Sequence, residues 1–374
     1  MKRLLLWIVL IGFASSAWAQ GQTHDGAYVF AYFKEPGTQG IYLALSRDGY
    51  TFTPLNDGQP WIKPDQPGEI MRDVFITHNP EGDGFRMVWT WGWKGSSLGT
   101  ASSKDLMTWS PQHEVPIMKD FATVRQVWAP ETYWDAKAKE WLVIWSSSFS
   151  DRPEGLRIWA AKTKDFVTFS KPEMFFDRGF PVIDATMFHD REKWFFVFKD
   201  QTVDPLRYTI RWTSGPTVEG RWGELSGPIA ESWSEGPSVV KVGDKFIVYY
   251  DHYRAPRARY EGVETTDWVH WTSVNDTMHF PEAAKHGSFF RVSEAEAQRL
   301  LSRHDGAVLG VEWRAFFSAW WSAVFAGVFA ENTVQNVVFL WSVCGAFVVK
   351  TWCLNDTFSV TKSTPLFQDL FLGC

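Results

Sequence analysis

The feature that most constrains this chain is a short turn signature that returns at near-regular intervals. It reads Ser46-Arg47-Asp48-Gly49-Tyr50-Thr51-Phe52, then Ser103-Lys104-Asp105-Leu106-Met107-Thr108-Trp109, then Thr163-Lys164-Asp165-Phe166-Val167-Thr168-Phe169. A degenerate copy, Thr213-Ser214-Gly215-Pro216, leads to Arg221-Trp222, and the last is Thr265-Thr266-Asp267-Trp268-Val269-His270-Trp271. An Asp in such a segment bonds the backbone two residues on and so makes a tight turn. The aromatic residue that follows is placed to open an outer strand. A period of roughly 50–60 residues is the length of one propeller blade. Short apolar or alternating runs between the turns, such as Arg86–Trp91, Glu140–Trp145, Lys193–Lys199 and Lys245–Asp251, read as strands.

A second series runs in phase with the turns. Asp73, Trp128, Asp184, Glu235 and His286 are separated by 55, 56, 51 and 51 residues. Each precedes a pair of strands and then a turn signature, so each is expected at the start of an innermost strand, beside a central axis. The segments Ala27–Phe33 and Gly40–Ser46 supply middle and outer strands without an inner one, while His286–Val292 supplies an inner strand without partners. Sharing one blade closes the ring and removes two exposed edges. The expectation is an all-β, five-bladed β-propeller. A large β-sandwich would not explain the phase agreement. The one helical segment is Ser293–Ser302, which Ser293 is placed to cap.

Three of the five in-phase positions are acidic: Asp73, Asp184 and Glu235. Carboxylates at the starts of separate inner strands converge at one end of the central tunnel. Like charges and burial raise one another's pKa, which leaves a protonated acid beside an ionised one. Glycoside hydrolysis needs that combination, one group to protonate the leaving oxygen and one to activate water.

Together with Arg72-Asp73, Val127-Trp128-Ala129-Pro130-Glu131, Ile183-Asp184, Glu235-Gly236-Pro237 and the Ser-x-Asp-x-x-x-Trp turn, these residues make the chain resemble glycoside hydrolase family 43 over about residues 25–303. The family usually has Pro after its first Asp, where this chain has Val74. The resemblance implies a secreted inverting glycosidase that removes arabinofuranosyl, galactofuranosyl or xylosyl units. It implies Asp73 as general base, Glu235 as general acid and Asp184 as the carboxylate that orients the acid and tunes its pKa. An inverting pair implies a base–acid gap of roughly 6.5–9.5 Å. A catalytically inactive glycan-binding propeller and an endo-acting arabinanase are the alternatives. A fructan-cleaving relative fits less well, because its Trp-Asn-Asp-Pro-Asn-type opening is missing.

Substrate-binding candidates surround the acids. Arg72 is placed to hold a carboxylate or a sugar hydroxyl. Trp91, Trp93 and Trp128 are candidate sugar platforms or pocket walls in a chain with 23 Trp and 17% aromatic residues. Lys199 and Asp251 end second strands, where they either reach the sugar or sit solvated on the rim. His286 reads as a satisfied axial histidine. Some members of the resembled family hold a water or a calcium ion near such a residue, but no acidic loop with calcium spacing is visible. No metal or cofactor is expected: there is no Cys/His cluster, no phosphate-binding or dinucleotide glycine loop, and no Gly-x-Ser-x-Gly. The expected partner is a plant or microbial polysaccharide or oligosaccharide. A net charge of −6 argues against nucleic acid, and nothing points to a protein partner.

The ends differ from the middle. Lys2-Arg3, the apolar run Leu4–Phe13 and Ala17-Trp18-Ala19 read as a signal peptide over residues 1–19, hence a secreted or periplasmic protein. The three cysteines, Cys344, Cys353 and Cys374, all lie near the end, so residues 20–303 form a domain held by its core and not by disulfides. Residues 304–374 are an anomalous apolar tail without blade turns. A membrane hairpin, an accessory module and shifted-frame coding are the three readings, with the last preferred because composition and cysteine usage change together.

Overall fold

Nineteen strands group into a ring of five small antiparallel sheets, and two more form a separate hairpin. A computed structural model describes residues 26–256 and 258–303, together with the backbone of 336–343 and 346–353. The expected leader, residues 1–19, and most of the tail lie outside the described residues. The chain divides into two units, residues 1–305 and 306–374. In the second, Asn336–Val343 and Ala346–Cys353 pair as an antiparallel hairpin.

The first unit is a five-bladed β-propeller. One blade is built from β4 (Arg72–His78), β5 (Phe85–Thr90), β6 (Leu98–Ser103) and β7 (His113–Val115). The next holds β8 (Trp128–Asp135), β9 (Glu140–Ser147), β10 (Arg157–Thr163) and β11 (Glu173–Phe176). Then come β12 (Val182–Asp190), β13 (Lys193–Asp200) and β14 (Thr209–Gly215), followed by β15 (Ser234–Val242), β16 (Lys245–His252), β17 (Arg259–Thr265) and β18 (Thr272–Ser273). The closing blade joins the two ends of the domain: β19 (Lys285–Val292) pairs with β1 (Ala27–Phe33), which continues to β2 (Tyr42–Ser46) and β3 (Thr53–Pro54). The three-stranded blade is the one whose turn signature is degenerate. Its outer edge is served instead by a loop whose Gly223, Ser226 and Ile229 amides bond to the carbonyls of Ser214, Trp212 and Ile210.

The turns follow one hydrogen-bond pattern. Ser103 Oγ accepts the amides of Asp105 and Leu106 at 3.2 and 2.9 Å, and Asp105 Oδ1 accepts those of Met107 and Thr108 at 2.8 and 2.9 Å. The same bonds recur about Ser46/Asp48, Thr163/Asp165 and Thr265/Asp267. The residue after the Asp is left-handed each time, with φ of 79° at Gly49, 63° at Leu106, 60° at Phe166 and 63° at Trp268. That conformation costs a side-chain-bearing residue roughly 1–2 kcal/mol. Leu106, Phe166 and Trp268 offset it by burying their side chains between blades.

Most of the aromatic excess is spent in those gaps. Five buried clusters form, each between two neighbouring blades. Trp268 stacks on Phe195 at 3.8 Å, and Phe30 on Phe289 at 4.1 Å. The helix over residues 294–303 begins as expected, with Ser293 Oγ accepting the Glu296 amide and Glu296 accepting the Ser293 amide in return. Its Ala297 and Leu300 are buried in the cluster between the closing blade and its neighbour.

Ser103→Ala is expected to destabilise the domain by about 1–3 kcal/mol, because two amides of a buried turn lose their acceptor. Ser103→Thr, which copies Thr163 and Thr265, should be close to neutral. Thermal melts of the two variants check this.

Candidate active site

The inner strands β4, β8, β12, β15 and β19 each touch the next around the axis, and each starts with a bulge. Pairing slips between Arg72 and Phe75, Trp128 and Glu131, Ile183 and Thr186, and Glu235 and Ser238, so two residues face one on the partner strand. A similar slip separates Lys285 from Ser288 in β19. The residue opening the bulge is left-handed: Asp73 (φ 49°), Ala129 (φ 45°), Asp184 (φ 52°) and Gly236 (φ 57°). Its amide is held from a neighbouring element. Ala129 N donates to Thr90 Oγ1 at 2.8 Å, Asp184 N to Ser146 Oγ at 3.1 Å, and Gly236 N to Asp184 Oδ2 at 3.2 Å.

This register refines the in-phase series. Asp73, Ala129, Asp184 and Gly236 are structural equivalents. Trp128 and Glu235 stand one residue earlier, where they match Arg72, Ile183 and Lys285. The difference is physical: the bulge turns successive side chains in different directions, so Glu235 and Asp184 approach the centre from different positions in their strands.

At the centre, His286 Nδ1 lies 3.5 Å from Asp73 Oδ1 and 3.8 Å from Asp184 Oδ2. Asp73 Oδ2 also accepts from Thr90 Oγ1 at 2.7 Å. Gly236 is the one residue that fits beside this histidine, since a Cβ there would stand 2.5 Å from His286 Cγ on a backbone with φ of +57°. His286 thus sits at the axis, facing two of the acids. The donor set does not suit calcium, which takes roughly six to eight oxygens. Among the described residues no group of three or more His, Cys, Asp or Glu is arranged to hold a metal ion.

The second part of the site is a row of alternating pairs. Lys199 Nζ donates to Glu235 Oε2 at 2.8 Å and to Tyr253 OH at 3.2 Å. Glu235 faces Asp251 directly across the β15–β16 pair. Asp251 is paired in turn with Lys285, whose Nζ donates to Oδ1 at 3.3 Å and lies 3.1 Å from Oδ2. Lys199 and Asp251 are each 1% exposed, so neither is a solvated rim residue. Lys199, proposed from sequence as a sugar contact, touches the Glu235 carboxylate. Sequence reading missed Thr90, Tyr253 and Lys285. Their signal was weak, because each is an ordinary strand-end residue whose partner lies on another strand or blade.

The exposed wall is aromatic. Trp93 is 49% exposed and meets Trp128 edge-to-face at 6.4 Å, with Trp128 Nε1 donating to the Trp93 carbonyl at 3.2 Å. The Arg72 guanidinium lies 4.0 Å above the Trp93 ring and 4.4 Å from that of Phe33, and its Nη1 pairs with Glu35 at 2.6 Å. Arg72 therefore holds a carboxylate, but that of Glu35 and not one of the three central acids. Trp91 departs from expectation: it packs against the core cluster beside Trp89 and does not join this wall.

Burial shapes the charge states. Burial pushes Asp184 up to about 6, with His286 opposing and Glu235 adding to the rise. Asp251 is also pushed up to about 6 by burial, against the pull of Lys285. Burial pulls the Lys199 ammonium down, but Glu235 and Asp184 outweigh it, so its pKa rises. Burial also pushes Glu131 up to about 8, with Tyr133 OH donating to it and Thr186 beside it. A cavity of about 340 Å³ is lined by residues such as Phe75, Tyr133, Phe188, Lys241 and Phe289. None of the candidate site residues lines it.

A family model described as a probable glycosyl hydrolase domain, of the kind related to glycoside hydrolase family 43, matches residues 24–298. An α-L-arabinofuranosidase of Bifidobacterium longum is 27% identical over 196 residues, which is 44% of this chain and 18% of that protein. The chain thus matches under a fifth of that relative's length. A putative exo-β-1,3-galactanase from Bifidobacterium bifidum superposes with a TM-score of 0.49 at 14% identity, over 68% of this chain and 90% of that one. An endo-arabinase from Bacteroides thetaiotaomicron gives 0.47 at 16%, over 56% and 81%.

Asp184 also predicts a stability profile. Its pKa in the folded chain stands above the ordinary 3.8, so ionising it disfavours the fold and stability falls as pH rises from about 4 to about 6. Asp184→Asn, which can still accept the Gly236 amide, is expected to melt at a higher temperature than the parent at neutral pH. That gap should close as pH falls to about 4. Melting curves across this range test the sign.

Proposed function

The chain belongs to the glycosyl hydrolases related to glycoside hydrolase family 43, and on that footing we propose that it is a secreted inverting glycosidase. Its substrate would be a terminal arabinofuranosyl, galactofuranosyl or xylosyl unit of a polysaccharide or oligosaccharide. The observation that carries the reading is the meeting of Asp73, Asp184 and Glu235, from three separate blades, around one histidine and one buried lysine.

In this reading water is held against Asp73, whose carboxylate takes its proton as the oxygen attacks the anomeric carbon. Thr90 and His286 fix the orientation of that carboxylate. Glu235 delivers its proton to the glycosidic oxygen as the bond to the leaving group breaks. Water's hydroxyl ends on the sugar, and the leaving group departs as an alcohol. Asp184 anchors the Gly236 amide next to the acid, and so fixes where Glu235 begins its reach. Inversion needs room for the water, roughly 6.5–9.5 Å between base and acid. Trp93 and Trp128 offer apolar faces for the sugar ring or its leaving group. We favour an exo action, since a propeller tunnel plugged at one end would make a pocket for a terminal sugar.

The test is hydrolysis by the full chain of p-nitrophenyl α-L-arabinofuranoside, β-D-galactofuranoside and β-D-xyloside. Turnover of one of them, with the product first formed in the inverted anomer by NMR, supports the proposal. Asp73→Ala and Glu235→Ala should each lower kcat/KM on the order of 10²–10⁴-fold. Retained turnover in either would remove that residue's role. A folded protein that binds oligosaccharide but turns over none of the panel and no arabinan would be a glycan-binding propeller instead.

A further inference from the structure

We propose that Lys199 is a positioning residue for Glu235: its ammonium holds the carboxyl in place and provides the countercharge needed once the proton has left. The proposal rests on the reading of Glu235 as the general acid.

The two side chains come from different blades, Lys199 from the end of β13 and Glu235 from the start of β15. Their exposure is unequal. The Lys199 side chain is 2% exposed and that of Glu235 is 30% exposed. The cation is therefore built into the wall, while the carboxyl keeps a face for substrate. Lys199 is held by more than its ion pair. Its Nζ donates to Tyr253 OH at 3.2 Å and lies 4.4 Å from the ring of Tyr253 and 5.3 Å from that of Tyr208. Two aromatic faces and a hydroxyl oxygen hold the ammonium besides the carboxylate. A lysine placed to meet a sugar would not be sealed in this way.

The other groups around Glu235 make this cation count. Asp251 faces it across the strand pair, Asp184 lies on the neighbouring blade, and Tyr253 and Tyr260 add hydroxyls. His286 packs against Gly236, and its Nδ1 is directed at Asp73 and Asp184. Lys285 is occupied by Asp251. Two further carboxylates thus surround a residue that must become an anion during the reaction, and Lys199 is the cation bonded to it.

The chemistry follows from when the charge appears. Glu235 is neutral before it donates and negative afterwards. A fixed cation 2.8 Å away interacts weakly with the first state and strongly with the second, so it lowers the barrier to proton transfer. The same contact favours loss of the proton in the free enzyme. The pair therefore sets the upper pH limit of activity, and removing the cation should move that limit upward.

The experiment uses the full chain with Lys199→Met and Lys199→Arg. The Glu235 carboxyl carbon is followed by NMR titration, its signal identified by loss in Glu235→Gln. The midpoint should rise by about one pH unit or more in Lys199→Met and stay near the parent value in Lys199→Arg. If Lys199→Met does not fold, Lys199→Gln gives the same readout while keeping a donor for Tyr253. Hydrolysis is compared on p-nitrophenyl and dinitrophenyl glycosides of the same sugar. Lys199→Met should slow the poorer leaving group more, since dinitrophenolate needs no proton. A midpoint that does not move, or an equal loss on both glycosides, overturns the proposal and leaves Lys199 a structural residue. Failure of the underlying reading looks different: Glu235→Gln would then show no dependence on leaving group, whatever the titration reports.

Discussion

Each inner strand of this propeller opens with a bulge, and the site depends on how those bulges are held. The left-handed residue at Asp73, Ala129 and Asp184 costs roughly 1–2 kcal/mol each in backbone conformation. At Ala129 and Asp184 the cost is offset by an amide bond to a side chain of the preceding blade, Thr90 or Ser146. The strain can persist because the neighbouring blade over-determines it. Site geometry and blade packing are therefore one system. A blade that shifted would lose the hydroxyl that holds the next bulge, and with it the aim of the carboxylate.

Charge follows the same logic. Asp184, Asp251 and Lys199 are nearly sealed from water, where an unpaired ion would shift its pKa and become neutral. The structure instead gives each carboxylate a partner: Lys199 for Glu235 and Lys285 for Asp251, with the His286 ring between Asp73 and Asp184 at the axis. At an effective dielectric near 20, unit charges about 4 Å apart interact by about 4 kcal/mol, enough to decide which carboxyl ionises first. The carboxyls share one surrounding and differ by their partners. Asp73 has a hydroxyl and a histidine, Asp184 has a backbone amide and deep burial, and Glu235 has an ammonium and a face to solvent. Different partners give one residue type different roles.

The ring itself is stabilised by apolar packing between blades and by closure of its ends. Pairing β1 with β19 brings residues more than 250 positions apart into one sheet, so neither terminal strand of the ring is left as an open edge. The aromatic residues that suggested a sugar site mostly fill the gaps between blades. Trp93 and Trp128 are the exceptions that remain beside the acids.

The amino-acid sequence by itself determined the blade count, the turns and the closure. Those properties are local or periodic: a Ser/Thr-x-Asp turn makes its own hydrogen bonds, and a repeat of one blade length specifies a ring. The irregular blade is the one whose turn lacks the Asp. Partnership was decided by the tertiary structure alone. Lys199 and Glu235, Asp251 and Lys285, Arg72 and Glu35, and Thr90 and the Ala129 amide are joined across strands or blades, at distances that no spacing in the chain encodes. Phase counting also placed Trp128 and Glu235 level with Asp73 and Asp184, one residue off. The spacing between blades varies around the ring, so only the folded register reveals which side chains are equivalent.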